Sequence, residues 1–203
     1  MRHTIADLKQ MQSLPLDAKV QMTKARVRAW YEHFDGQVYV SFSGGKDSTV
    51  LKHVVDSMYD VKKNPLKKYQ RETGRAPIVG TMADESRMRY KNWLLHGCNA
   101  FAARAPVSSP LSFWTEQDVL RYIVENGLEI ASVYGEIRAD GGGRLYLTGE
   151  ERTGCMFCMF GAHLEKAPNR FQRMKKTHPR QWDYCMTDLG LKQVLDYLGV
   201  ESE

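Results

Sequence analysis

Directly after the apolar run Val38-Tyr39-Val40, the stretch Ser41-Phe42-Ser43-Gly44-Gly45-Lys46-Asp47-Ser48-Thr49 has the residue types of a phosphate cradle. Gly44 and Gly45 let the backbone approach an anion closely, and Lys46 brings positive charge. Ser48 and Thr49 fall where an opening helix exposes N–H groups that have no intrahelical partner. The spacing is not that of a Walker A loop, which needs four residues between its first glycine and the Gly-Lys pair. Here Gly44 is followed at once by Gly45-Lys46. The plainer account of the same residues is an ordinary glycine turn at a helix start.

A second charged group is Glu85-Ser86-Arg87-Met88-Arg89. On a helix, Glu85 and Arg89 are four residues apart and stabilise each other by about 0.2–0.5 kcal/mol when exposed. Alternatively Arg89, with Arg87, offers a guanidinium fork to phosphate or sulfate oxygens. Ser86 suits a helix cap as well as a substrate contact. Cys155-Met156-Phe157-Cys158 has metal-ligand spacing, but two thiols do not close a tetrahedral site. Cys98 and Cys185 are the other two thiols of the chain, so convergence of all four would suit zinc or a [4Fe–4S] cluster, with His163 and His178 in reserve. An isolated redox or structural pair, and wholly buried non-ligand thiols, are the competing readings.

The elements that must position these residues follow from periodicity and punctuation. Residues 18–34 read as an amphipathic helix capped by Asp17, with Val20, Lys24, Val27, Trp30, Tyr31 and Phe34 near helical spacing and Asp35-Gly36 as the stop. Residues 37–42 read as the strand that delivers the glycine loop, and 47–58 as its helix, facing the sheet through Val50, Leu51, Val54 and Val55. A helix over 66–72, a buried strand over 77–82 and a helix from Asp84 or Ser86 towards Leu95 follow. Thr115 as N-cap, with Asp118 three residues on, opens a helix that Asn126-Gly127 ends. Gly141-Gly142-Gly143 reads as the turn of a small hairpin between 134–137 and 144–147. Helices are expected over 168–176 and 190–198. The order predicts an α/β fold, three-layered with a mostly parallel sheet. The expected division is a nucleotide-binding domain over 1–130 and a cysteine-containing, loop-rich and partly helical subdomain over 131–203.

The chain has 203 residues, enough for one sizeable core with an appended subdomain. Its formal charge of +5 suits an anionic nucleotide, and only weakly supports nucleic-acid binding because no repeated basic–aromatic pattern accompanies it. The pairs Lys62-Lys63, Lys67-Lys68 and Lys175-Lys176 read as solvated surface. With no apolar leader core and no run long enough to cross a bilayer, a soluble cytoplasmic protein without membrane contact is expected. Four cysteines, two of them closely spaced, fit a metal or redox group better than a secreted disulfide framework.

The loop resembles the PP-loop of the ATP pyrophosphatase superfamily, whose members cleave ATP between the α and β phosphates. Three further stretches resemble the phosphoadenosine phosphosulfate reductase family: Gly80 to Arg89, Pro110 to Val119 and Gly154 to Cys158. The resemblance implies an adenine nucleotide alpha-hydrolase-like fold. It implies nucleotide binding by Ser43, Gly44, Gly45, Lys46, Asp47, Ser48, Glu85, Ser86 and Arg87, with Lys46, Asp47 and Arg89 at the chemistry. ATP or a related adenine nucleotide with magnesium is the implied ligand, Asp47 being either an indirect magnesium ligand or a helix-start anchor. Cys98, Cys155, Cys158 and Cys185 are the implied metal set, a cluster being favoured over zinc.

Two departures from the family pattern bear on function. Ser57-Met58-Tyr59-Asp60 passes almost at once into Val61-Lys62-Lys63, where family members place a longer region with a further strand. An internally shortened sheet is therefore expected, with a homodimer or protein partner covering its edge. Sulfonucleotide reductases carry a redox cysteine in the C-terminal tail, and no cysteine follows Gly190 here. The leading expectation is ATP α–β cleavage or adenylyl transfer to an acceptor. A phosphoadenylyl-sulfate or adenylyl-sulfate reductase and a non-catalytic nucleotide-binding or assembly subunit are the alternatives.

Overall fold

Val38-Tyr39-Val40 forms a strand because it is β-branched and aromatic, and it is buried on both faces, as a strand in a parallel sheet is. The computed structural model describes residues 3–58, 73–150, 159 and 162–202. Contacts divide the chain into two compact units, Met1–Arg152 and Thr153–Glu203. In order, the first unit runs α1 (Ile5–Gln12), α2 (Leu16–His33), β1 (Val38–Ser41), α3 (Lys46–Asp56), β2 (Ala76–Val79), a 3-10 turn at Ala83–Glu85, α4 (Arg87–His96), α5 (Glu116–Glu125), a second 3-10 turn at Ser132–Tyr134, and the strands β3 (Ile137–Ala139) and β4 (Leu145–Leu147). The expected helix over 66–72 and the join after Tyr59 lie outside the described residues.

β1 and β2 pair in parallel, Val38 opposite Ala76 and Ser41 opposite Val79. Ser108 adds one parallel bridge on the far side of β2: Val79 N–H donates to its carbonyl at 2.8 Å, and its own N–H donates to Pro77 O at 3.0 Å. Among the described residues the parallel sheet is thus β1, β2 and this bridge. The fold is α/β with a short parallel sheet. Pro77 is tolerated inside β2 because its nitrogen, like its carbonyl, faces the Ser108 side, where the described pairing is a single bridge and no ladder bond needs its N–H.

The helix α2 departs from the expected stripe in an instructive way. It begins at Leu16 with Pro15 as N-cap, so Asp17 lies inside the first turn, where its charge favours the helix dipole instead of capping. Its buried face is Leu16, Lys19, Thr23, Val27 and Trp30, while Val20 and Lys24 are only half-buried. Lys19 Nζ lies 2.6 Å from Asp118 Oδ2 and donates to Gln12 O at 2.6 Å. Thr23 Oγ1 accepts from Trp114 Nε1 at 2.9 Å and donates to Pro110 O at 3.3 Å. Asp118 also closes the expected capping box, its carboxylate accepting Thr115 N–H at 2.7 Å. The stretch from Pro110 to Asp118 is therefore bolted to α2 by polar groups buried among apolar ones.

The hairpin β3–β4 forms as expected, antiparallel, with Asp140 Oδ1 accepting from the N–H groups of Gly142 and Arg144 at 2.9 Å each. It lies within the first unit, Met1–Arg152. The cause is Gln117, whose amide pairs both ways with Leu145, donating at 2.8 Å and accepting at 2.9 Å like one more strand residue. The helix α1 was not anticipated; Thr4 and Asp7 build its capping box, and the backbone and side-chain hydrogen bonds from Thr4 hold the Asp7 carboxyl below its ordinary range.

In the second unit, α6 (Arg170–Thr177), α7 (Pro179–Met186) and α8 (Leu191–Tyr197) enclose Phe171, Met174, Cys185, Met186, Leu195 and Val200. The helix α7 was also not anticipated. Asn169 caps α6, accepting from Phe171 N–H at 3.0 Å and Gln172 N–H at 3.1 Å. No helix among the described residues is long and apolar enough to cross a membrane.

Two stability predictions follow from these contacts. Removing one partner of a buried ion pair strands the other charge, so Lys19→Met should lower unfolding free energy by about 3–5 kcal/mol in urea titrations of the intact chain. A loss under about 1 kcal/mol would show that Asp118 is held by its cap alone. Burial raises the Glu165 carboxyl, but the hydrogen bonds and charge of Arg170, with the charge of Arg173, outweigh it and hold the group below its ordinary value of 4.5. A depressed carboxylate contributes stability that is fully present above that value and is lost as pH falls through the folded one. Stability measured from pH 6 to 3 should therefore fall less steeply in Glu165→Gln than in the parent chain.

Candidate functional site

The turn between β1 and α3 is built by two glycines with different duties. Gly44 has φ +79°, and a Cβ there would meet nothing within 4 Å, so backbone conformation and not crowding requires glycine. Gly45 is the N-cap of α3, and its carbonyl accepts from Ser48 Oγ at 2.8 Å, Thr49 N–H at 3.0 Å and Thr49 Oγ1 at 3.1 Å. Ser43 Oγ lies 3.2 Å from Ser48 Oγ and accepts Gly45 N–H at 3.4 Å. The hydroxyls thus tie the loop to itself and fix the direction of the first-turn N–H groups. Asp47 stands half-buried in that first turn, its charge at the positive end of α3.

Lys46 is nearly buried. Its Nζ lies 3.4 Å from Glu116 Oε1 and 5.7 Å from the centroid of the Tyr134 ring, and its backbone N–H donates to Tyr134 Oη at 3.3 Å. Neither Glu116 nor Tyr134 was singled out as a site residue from the sequence. Tyr134 stands 88 positions from Lys46 and reaches it because the backbone of 133–135 runs against 148–150. Gly149 N–H donates to Tyr134 O and Glu150 N–H to Val133 O, both at 2.9 Å, and neither Gly135 nor Gly149 has room for a side chain. Those two glycines were the available signal, and as local punctuation they read only as turns.

Gly80 connects this loop to the next strand. A Cβ built on it would stand 2.8 Å from the Asp47 carbonyl oxygen and 2.9 Å from Ser48 Cα. The end of β2 therefore rests directly on the first turn of α3. Because β1 and β2 are parallel, the glycine loop and the segment after Gly80 leave the same end of the sheet, where ligands bind in open α/β sheets.

Beyond Gly80 the structural readings of the charged block are the ones present. Ser86 caps α4, its Oγ accepting Arg89 N–H at 3.2 Å. Glu85 pairs with Arg89 one turn along and accepts Met82 N–H at 2.7 Å. Arg89 also lines a pocket of about 230 Å³ with Thr81, Asn92, Ser109 and Ser112. Arg87 lines a separate groove of about 260 Å³ with Asp84, Ser86 and Lys91. Two residues apart on a helix, the arginines line different hollows.

Cys98 lies in the apolar core of the first unit, its Sγ accepting from Ser112 Oγ at 3.4 Å. Cys185 lies in the core of the second, where burial pushes its thiol up. Cys155 and Cys158 fall outside the described residues. Among the described residues no three His, Cys, Asp or Glu side chains gather in a way that could hold a metal. His163 and His178 are exposed.

A parallel strand, a glycine loop and a helix N-terminus carrying a lysine define an anion-binding α/β domain. The family model of the phosphoadenosine phosphosulfate reductase domain matches residues 58–160, and the chain belongs to this family of PP-loop nucleotide-binding proteins. The matched segment begins after α3 and takes in β2, α4, α5, the hairpin and the Cys155–Cys158 pair. Searches of curated proteins and of solved structures gave no match.

Gly80→Ala should displace the α3 first turn against backbone atoms that cannot give way. Overpacking of this kind costs about 1–3 kcal/mol. Pyrophosphate affinity measured by calorimetry should fall together with stability. Unchanged affinity in a destabilised variant would mean that the loop does not depend on this contact.

Proposed function

We propose that this chain is a PP-loop enzyme that binds ATP and exposes its α phosphate to an acceptor, releasing pyrophosphate. The observation that supports this most directly is the glycine loop at the start of α3, with Gly44 at φ +79° beside open space and Lys46 on the first turn. In the reaction an acceptor oxygen or sulfur forms a bond to the α phosphorus as the α–β bridging P–O bond breaks. The leaving pyrophosphate takes the electron pair. Positioning and charge stabilisation supply the catalysis, so no histidine or cysteine base is required.

In this reading the first-turn N–H groups and Lys46 hold the β and γ phosphates, and Ser43 and Ser48 keep the loop in shape. Magnesium, when bound, would neutralise phosphate charge, and Asp47, half-buried at the helix start, is the residue suited to hold it through water. Arg89, whose side chain is 44% exposed despite its pairing with Glu85, remains able to turn towards an anionic group entering the pocket with Thr81, Ser109 and Ser112. Glu85 and Ser86 act by fixing the start of α4. A domain of three layers, with a partner over the sheet edge, completes the proposal. ATP α–β cleavage is preferred to sulfonucleotide reduction because the described site is a glycine loop with a lysine at a helix start, and Cys98 and Cys185 lie buried in apolar cores.

Calorimetric titration of magnesium pyrophosphate and magnesium ATP into the parent chain and Lys46→Ala tests the assignment. Loss of a charge-assisted hydrogen bond predicts at least about tenfold weaker binding in the variant. Equal, tight binding by both proteins would remove Lys46, and the loop with it, from the site.

A further inference from the structure

The geometry points to Glu116 as an electrostatic latch on the phosphate loop: its carboxylate holds the Lys46 ammonium while the loop is empty and surrenders it to an incoming polyphosphate. Glu116 would thereby set how tightly the site takes its ligand, a role that rests on the proposed phosphate binding. The Lys46 side chain is 4% exposed, and a charge so nearly buried is costly without a counter-charge. Glu116 supplies one at 3.4 Å from the first turn of α5, while its own side chain stays 48% exposed. One partner is thus fixed in the protein and the other is free to swing into water.

Tyr134 makes the arrangement directional. The centroid of its ring lies 5.7 Å from Nζ, and its hydroxyl receives the Lys46 backbone N–H, so ammonium and backbone of Lys46 both meet a residue placed by the backbone pairing of 133–135 with 148–150. A phosphate oxygen arriving at the α3 N-terminus meets an ammonium already aimed by these contacts but still bound to a competing anion. Two anions on one ammonium repel each other, and the solvated carboxylate is the one that can leave at little cost. Affinity for polyphosphate is therefore what remains after Glu116 is displaced.

The test uses full-length chains titrated with pyrophosphate at constant ionic strength. Glu116→Gln removes the competing charge, and the modest worth of a half-exposed ion pair sets the expected gain at about two- to fivefold tighter binding. Glu116→Asp keeps the charge but is one methylene too short for the contact. Tightening close to that of Glu116→Gln is expected, because the Lys46 side chain is buried and has little room to follow the shorter carboxylate. Weaker or unchanged binding in Glu116→Gln overturns the latch. Tightening in Glu116→Gln alone, with Glu116→Asp like the parent, also overturns it and leaves Glu116 as a nearby field only. If neither the parent nor either variant binds pyrophosphate, the phosphate-loop reading itself fails. Binding by the parent without a gain in the variants removes the latch and spares that reading.

Discussion

The close approach of Gly80 to the first turn of α3 is the constraint on which the rest of the site depends. It leaves no room for a Cβ, so the loop after β1 and the loop after β2 are set as one rigid edge at the carboxyl end of the parallel pair. The direction of α3, and with it the direction of its first-turn N–H groups, follows from that contact. A helix N-terminus is a modest attractor of anions by itself. Fixed against a strand end, with its serines tied into the loop, its direction is set in advance.

Around this edge the chain spends buried polar groups in two places. The Lys19–Asp118 pair and the Thr23–Trp114 bond join α2 to the start of α5, whose first residue is Glu116. The backbone pairing beyond Ser132 sets Tyr134 beneath Lys46. Segments far apart in sequence are thereby brought to one lysine. Trp114, Thr115 and Asp118 thereby hold the element that presents the Glu116 carboxylate to Lys46 at the end of the glycine loop.

What could be read in the sequence was what is local. Gly44 and Gly45 after an apolar strand, the Thr115–Asp118 box and the hairpin turn each act within a few residues, and each stands where its spacing put it. Lys19 and Thr23 were missed as core residues because hydrophobic periodicity ranks side chains by apolarity, and these two are buried through partners on α5 and its preceding loop. Arg87 and Arg89 read as one charged block, but the helical turn between them sends them to separate hollows. Glu116 and Tyr134 had no local signal, since their meaning lies in a contact made only after the strands and hairpin are in place. The helices α1 and α7 are short, eight residues each, and too brief to show a persuasive period.

The central claim is that the loop at 43–48 cradles the β and γ phosphates of an adenine nucleotide. A crystal structure of the chain grown with magnesium and a non-hydrolysable ATP analogue tests it most directly. The account predicts phosphate oxygens within hydrogen-bond distance of the N–H groups at the start of α3 and of Lys46 Nζ, with the Glu116 carboxylate displaced from that ammonium. Phosphates bound instead in the groove of Arg87 and Lys91, with Lys46 still on Glu116, would contradict it.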